Sequence, residues 1–480
     1  MIKLPTVVQH LSDKDFASVA EQFKKTRAEK FIMLLTFLKE GRLSEEEMIE
    51  KLQVNKSAFY TLKSRLAEKI QEYLYKNVGD ERIELLRNLA NIHNLIYSTP
   101  KATAVAMLRK MEAELRDNDM PNELTLVYSA LKKLHLHTPK YYEYSQLYNK
   151  HIAFTIAIDK AEDLVSNFTR TLGEYEITRD KMVMQRLWLI KKELANVCRL
   201  YDSHHLGIYK KLVDISFALF VPLQEAISDD DPVEDMLAAA FRGFDTYDKD
   251  VEYRYLRNVF NFLAFEYYHG LKLYKNEARY FEEVDRELPT FLLSDHCSFS
   301  TRFLISRIER HIHLGNEKDL GRHDLVHEVD ASDVPNYINL NLYKAACAFY
   351  SGKYNDAVKV LNEVLNTVSF KNIFHAETEV KLFLALACSM LNKYEQAEVL
   401  LRSVSRKITD TIEEGCYENA LTFIRMLKLQ MSSEVKNVEE KLRSLRDKFF
   451  QQNNGHERML TFLKLDDAFI RELAKGVKAS

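Results

Sequence analysis

An all-α chain built largely as a stack of helical hairpins is the fold this sequence predicts, and three observations predict it. Apolar residues recur at intervals of three and four over most of the length, as in 31–40 (FIMLLTFLKE), 122–137 (NELTLVYSALKKLHLH) and 257–270 (RNVFNFLAFEYYHG), the period of a helix with one buried face. Strand-like alternation is scarce, and no gap between helical segments is long or apolar enough to hold a parallel strand. Turn signals recur at Met120-Pro121-Asn122, Thr138-Pro139, Ser228-Asp229-Asp230-Asp231-Pro232, Leu288-Pro289 and Val334-Pro335, so helices of roughly 12–20 residues fold back on one another in antiparallel pairs.

The first element is a domain over residues 1–76. Ser44 with Glu47 makes a capping box for a short helix, Leu52-Gln53-Val54 makes a turn, and Asn55 caps a second helix. Met48, Leu52, Val54, Phe59 and Leu62 have the spacing that buries the angle between two such helices, and the run Lys30 to Lys39 supplies a third. This three-helix unit resembles a helix-turn-helix, with Gln53 where the turn usually has Gly and Ile49 where the first helix usually has a small residue. The resemblance implies a second helix lying in a DNA groove, its contacts made by Lys56, Ser57, Tyr60 and Thr61, with Lys63 and Ser64 toward phosphates. Residues 1–76 carry 14 Lys/Arg against 11 Asp/Glu, a local +3. Glu45-Glu46-Glu47 would face phosphates poorly, and the rival reading is a cap on the stack or a protein-binding unit.

Residues 77–250 read as a divergent helical region without a clean repeat. Tyr141, Tyr142, Tyr144 and Tyr148 fall close together; on one helix they cannot all face one core, and packing between divergent repeats accounts for most of them.

Residues 251–480 contain the repeat. The small residues Ala345-Ala346-Cys347-Ala348, then Gly352, Tyr354 and Ala357, are followed by Ala385, Ala387, Asn392, Tyr394 and Ala397, with Tyr354 to Tyr394 and Ala357 to Ala397 both 40 apart. Small residues let paired helices approach, and Gly352 and Asn392 suit a left-handed turn. The pattern resembles a tetratricopeptide repeat, lengthened from its usual 34 residues by about one and a half helical turns. Looser copies place Gly270 before Tyr274 and Ala278, and Gly315-Asn316 after Leu314. The series Gly270, Gly315, Gly352, Asn392 reaches Ser432 by one more step of 40, which predicts five hairpins over 250–450, stacked as an α-solenoid with an exposed concave side.

Composition narrows the function. The 480 residues are 46% hydrophobic and 29% charged with only 8 Pro and 12 Gly, which excludes a disordered or collagen-like chain. Lys and Arg number 68 against 71 Asp and Glu, a net −3, so the chain as a whole has no attraction for nucleic acid or acidic lipid. Cys198, Cys297, Cys347, Cys388 and Cys416 are odd in number and form no C-x-x-C pair, fitting buried thiols in a reducing compartment. With no signal-peptide core at the start and no run long enough for a membrane span, a cytoplasmic location is expected.

Catalytic chemistry finds little material. There is no phosphate loop, G-x-G-x-x-G or G-x-S-x-G. His323 and His327 stand four apart, as zinc ligands on a helix would, but Asp324 follows where a metalloprotease has Glu. His204-His205 and His296-Cys297 carry no geometry on their own. No catalytic residue, metal or cofactor is therefore expected.

The function expected is that of a noncatalytic scaffold or regulator binding a protein or peptide segment on the concave face of the solenoid, without membrane association. The module order resembles that of bacterial peptide-sensing transcription regulators, which implies as an alternative a DNA-binding regulator controlled by the solenoid. A zinc hydrolase at His323 and His327 is the distant third.

Overall fold

The structure, a computed structural model, describes residues 4–9, 11, 13–26, 28–40, 43–77, 83–222, 231–248, 250–293, 299–322, 329–411, 415–432 and 437–476. Among these every regular element is helical, and no helix is long and apolar enough to cross a membrane. Buried apolar side chains fall into three clusters: residues 4–73, 85–144 and 157–473.

In the first cluster the Ser44 capping box forms: the Ser44 N–H donates to Glu47 Oε2 at 2.8 Å and the Glu47 N–H to Ser44 Oγ at 3.3 Å. It starts the helix Glu45–Leu52, and Asn55 Oδ1, accepting from the Ala58 N–H at 2.8 Å, caps Lys56–Asn77. Met48, Leu52 and Phe59 are buried at the corner, with Val54 and Leu62 packed half-buried against them.

The sequence expectation of short helices fails at Lys140–Thr178, which runs 39 residues. No proline interrupts it and Gly173 is its one glycine. It packs in turn against Pro121–Leu134, Lys181–Leu200 and His204–Phe220, and then against Val334–Tyr350 and Phe374–Met390. Of its tyrosines, Tyr144 is buried and Tyr142 is 72% exposed, while the Lys132 ammonium lies over the rings of Tyr141 and Tyr148.

The hairpins of the last cluster pair Val251–Gly270 with Tyr274–Leu293, Val334–Tyr350 with Tyr354–Thr367, Phe374–Met390 with Tyr394–Thr411, and Glu418–Gln430 with Val438–Gln452. Phe299–Leu314 is followed instead by the short 3-10 helix Glu317–Arg322.

One turn recurs at the ends of first helices and of Phe299–Leu314. At Gly352 (φ 73°) the N–H donates to the Phe349 carbonyl and the next N–H, that of Lys353, to the Ala348 carbonyl. This closure of a helix end through a left-handed residue repeats at Lys272, Gly315 and Asn392. The left-handed residue of the first hairpin is thus Lys272, two positions past the Gly270 expected from the sequence. Lys272, Gly352 and Asn392 each stand two residues before the tyrosine that opens the second helix. Three residues beyond that tyrosine come Glu277, Ala357 and Ala397, all 0% exposed. The closest-packed position of the first hairpin therefore belongs to Glu277, where the sequence spacing pointed to Ala278.

A Cβ added at Gly352 meets no atom within 4 Å, so the cost of a side chain there is backbone strain alone. Gly352→Val is expected to destabilise the stack by about 1–3 kcal/mol, read as a lower denaturation midpoint; an unchanged midpoint would show that the turn does not need positive φ.

Candidate functional site

The first helices of the hairpins are buried on nearly every side. In Phe374–Met390, 12 of 17 residues are buried, against 4 of 14 in the second helix Tyr354–Thr367. A helix buried only against its hairpin partner and neighbours would keep an open stripe, so something covers the inner face these helices line. Two parts of the chain do: the end of Lys140–Thr178, and a stretch from Gly455 to Leu465 that opens with the 3-10 turn Gly455–Glu457 and whose Met459, Leu460, Phe462, Leu463 and Leu465 are buried. The inner face is thus filled from within, where the sequence reading expected it exposed.

Besides these buried side chains, polar groups of the surrounding helices grip the backbone of the stretch. Asn419 Nδ2 donates to the Glu457 carbonyl at 2.6 Å, and Glu379 Oε1 accepts from the Leu460 N–H at 2.6 Å. The Tyr350 hydroxyl donates to the Phe462 carbonyl and accepts from the Lys464 N–H, both at 2.8 Å. Asn453 links back to the stretch through both its amide atoms, to the Met459 N–H and carbonyl. Phe462 sets its ring 5.2 Å from that of Phe383.

Between the stretch and the helices lies a cavity of about 500 Å³, lined by Glu176, Glu266, Glu309 and Glu379 and by Arg179, Arg302 and Arg458. Arg302 pairs with Glu176 and Ser306 donates to Glu266. Glu309 takes Arg458 and His269 Nε2, each at 3.5 Å. His269 Nδ1 lies 3.2 Å from Glu277, which also accepts from Arg310 at 2.7 Å. Burial pushes the Glu266 carboxyl up to about 7 and the Arg302 guanidinium down to about 10. The hydrogen bond to Glu309 outweighs burial at His269, and with Glu266 and Glu277 nearby its imidazolium is raised to about 9. The wall can order both signs of charge on a small polar group.

These shifts fix a pH dependence. His269 binds its proton more tightly folded than unfolded, so its contribution is full below about 6.5 and is lost as pH rises through about 9. Glu266, also raised, acts in the same direction between about 4.5 and 7. Unfolding free energy is expected to fall by about 2 kcal/mol between pH 6.5 and 9 on account of His269. Denaturant titrations across that range should lose most of this slope in His269→Gln; a slope unchanged by that substitution would contradict the assignment.

The side chains expected from sequence to meet DNA lie elsewhere. Lys56, Ser57, Tyr60, Thr61 and Ser64 are exposed on Lys56–Asn77, but Lys63 is half-buried and paired with Glu45 at 2.5 Å, and the Tyr60 hydroxyl donates to the same carboxylate at 3.1 Å. The hydrogen bond from Lys63, working against slight burial, holds Glu45 below the usual carboxylate range. Ala345, Ala357 and Ala397 are fully buried in helix packing, Tyr354 and Tyr394 are half-buried, and Gly352 and Asn392 occupy turns; none of these seven lines the cavity. His323 and His327 lie outside the described residues, as does Cys297.

Sequence reading passed over Tyr350, Glu379, Asn419 and the stretch they hold. The available signal was Asn453-Asn454-Gly455, a turn cluster followed by an apolar run too short for a helix. Comparison of the chain with family models, with curated proteins and with solved structures finds no match.

Proposed function

We propose that the chain is a noncatalytic protein- or peptide-binding scaffold whose tetratricopeptide-like hairpins receive an extended segment on their inner face. One observation carries this reading: three successive first helices supply Tyr350, Glu379 and Asn419 to the backbone of residues 457–464. Backbone hydrogen bonds give affinity to an extended segment regardless of sequence, and pockets for its apolar anchors give specificity. Here the chain's own Met459, Leu460, Phe462 and Leu463 are the anchors, so a partner segment with the same spacing would compete with them.

A protease site inserted beside the exposed Asn454 gives the test. After cleavage the tail should stay bound, a labelled peptide of residues 455–466 should exchange into the complex, and peptides keeping the anchor spacing should compete while those lacking the Phe462 equivalent should not. A tail that never exchanges, or exchange indifferent to the anchors, counts against a binding face.

A DNA-binding regulator is the second reading, favoured by the exposure of Lys56, Ser57, Tyr60, Thr61 and Ser64 beside the left-handed turn at Gln53 (φ 49°). Anisotropy titration of the full chain on duplex DNA decides it. If the helix lies in a groove, Lys56→Gln should flatten the slope of log affinity against log salt by about 0.9. Lys63→Gln should do less, because Lys63 already has a carboxylate partner. No duplex binding at low salt would remove this reading.

A further inference from the structure

A second polar cluster lies away from the inner face, at the joint between the second and third buried clusters. Asp119 occupies the left-handed position (φ 50°) of the turn between Lys101–Asp117 and Pro121–Leu134, which closes as the hairpin turns do. That turn aims its carboxylate at the start of His204–Phe220, where Ser203, the cap of that helix, donates its hydroxyl to Asp119 Oδ2 at 2.6 Å. His205 Nδ1 lies 3.3 Å from the same oxygen and its Nε2 lies 3.2 Å from Asp250 Oδ2.

The neighbouring His204 is held equally firmly. Its ring stacks on Tyr247 with centroids 3.7 Å apart, and its Nδ1 is hydrogen-bonded to the Tyr253 hydroxyl. Its other nitrogen, Nε2, is buried without a hydrogen-bond partner and points to within 3.9 Å of Asp119 Oδ2. A buried ring nitrogen left unpaired costs about 1–3 kcal/mol. One donor atom from each of Asp119, His204 and His205 lies within 4.8 Å of the others.

We propose that Asp119, His204 and His205 bind one divalent transition-metal ion of the zinc class. Two imidazoles and a carboxylate suit such an ion and suit calcium or magnesium poorly. The arrangement behind the ligands is the one metal-binding histidines use, each ring fixed through its other nitrogen, here by Asp250 for His205 and Tyr253 for His204. Tyr209 engages Glu252, on the far side of His205, through its hydroxyl at 2.5 Å, which leaves Asp250 as the orienting carboxylate. The ion takes the place of the proton on His205 Nδ1, which leaves to solvent, and it satisfies the orphaned His204 Nε2. A cavity of about 430 Å³ lined by Asp119, Ser203, His204 and Tyr253 gives a water molecule access to a fourth position.

The test uses the full untagged chain, stripped by chelator and titrated with Co(II) and then Zn(II). One equivalent of Co(II) should produce a visible ligand-field spectrum, Zn(II) should abolish it, and the melting temperature should rise with bound metal. His204→Ala and Asp119→Asn should each abolish the spectrum while leaving the metal-free melting curve cooperative. Asp250→Asn should weaken binding about 10–100-fold without removing it. His323→Ala/His327→Ala should bind as the native chain does. Absence of stoichiometric binding by the native chain overturns the proposal. So does binding that survives His204→Ala and is lost on changing His323 and His327.

Discussion

Glu277→Ala should lower the unfolding free energy of the hairpin stack by about 3–5 kcal/mol, the cost of removing one partner from a buried ion pair. The size follows from what stays behind. Glu277 is 0% exposed and accepts from Arg310, itself 7% exposed, at 2.7 Å, with His269 3.2 Å away. Alanine has no steric objection to the position, because Ala357 and Ala397 hold the equivalent places in later hairpins and are equally buried. The loss therefore comes from an arginine left without its counter-charge. Glu277→Met combined with Arg310→Met should recover most of it, since an apolar pair that fills much of the same space often matches a buried ion pair. Denaturant titration of the three variants decides the point: a double variant no better than the single one would place the cost in packing.

Phe462→Ala should cost a similar amount, about 3–5 kcal/mol for a fully buried phenylalanine, and should act locally first. The ring is 1% exposed against Phe383 and is the largest of the apolar anchors along the Gly455–Leu465 stretch, beside Met459, Leu460, Leu463 and Leu465. Hydrogen exchange should therefore quicken from Met459 to Leu465 before it does in Phe374–Met390. Tyr350→Phe, which loses the two hydrogen bonds of one hydroxyl, should have a smaller effect of about 1–3 kcal/mol. Uniform exchange across the stack in Phe462→Ala would mean that the stretch is not separable from the core it covers.

The contrast between Ala357 and Glu277 explains how much could be read beforehand. All-α structure, the corner at Met48, Leu52 and Phe59, and the turns at Gly352 and Asn392 depend on neighbours within a few residues, and local patterns carry them. Where a partner is distant, the pattern is silent. Glu277 looked like a surface residue because Arg310 stands 33 positions on, and Lys272 hid a left-handed turn that glycine would have advertised. Asp119 meets His205 across 86 residues, so no spacing could bring them together. The covered inner face escaped for the same reason: its periodicity announces a surface to bury and leaves unsaid which part of the chain buries it.

The end of the 39-residue helix has a further consequence, for how the stack forms. In an open array each hairpin touches only its neighbours, and stability is a sum of local terms that any repeat can begin to collect. Here Arg302 waits for Glu176, 126 residues earlier, and Glu309 and Glu317 wait for Arg458 and Lys464, 149 and 147 residues later. Residues from both flanks of the stack must arrive before its interior closes, which trades one-dimensional growth for slow, long-range closure of a single unit. Repeats could then be neither added nor deleted singly, and the array would behave toward length changes as an ordinary globular core does.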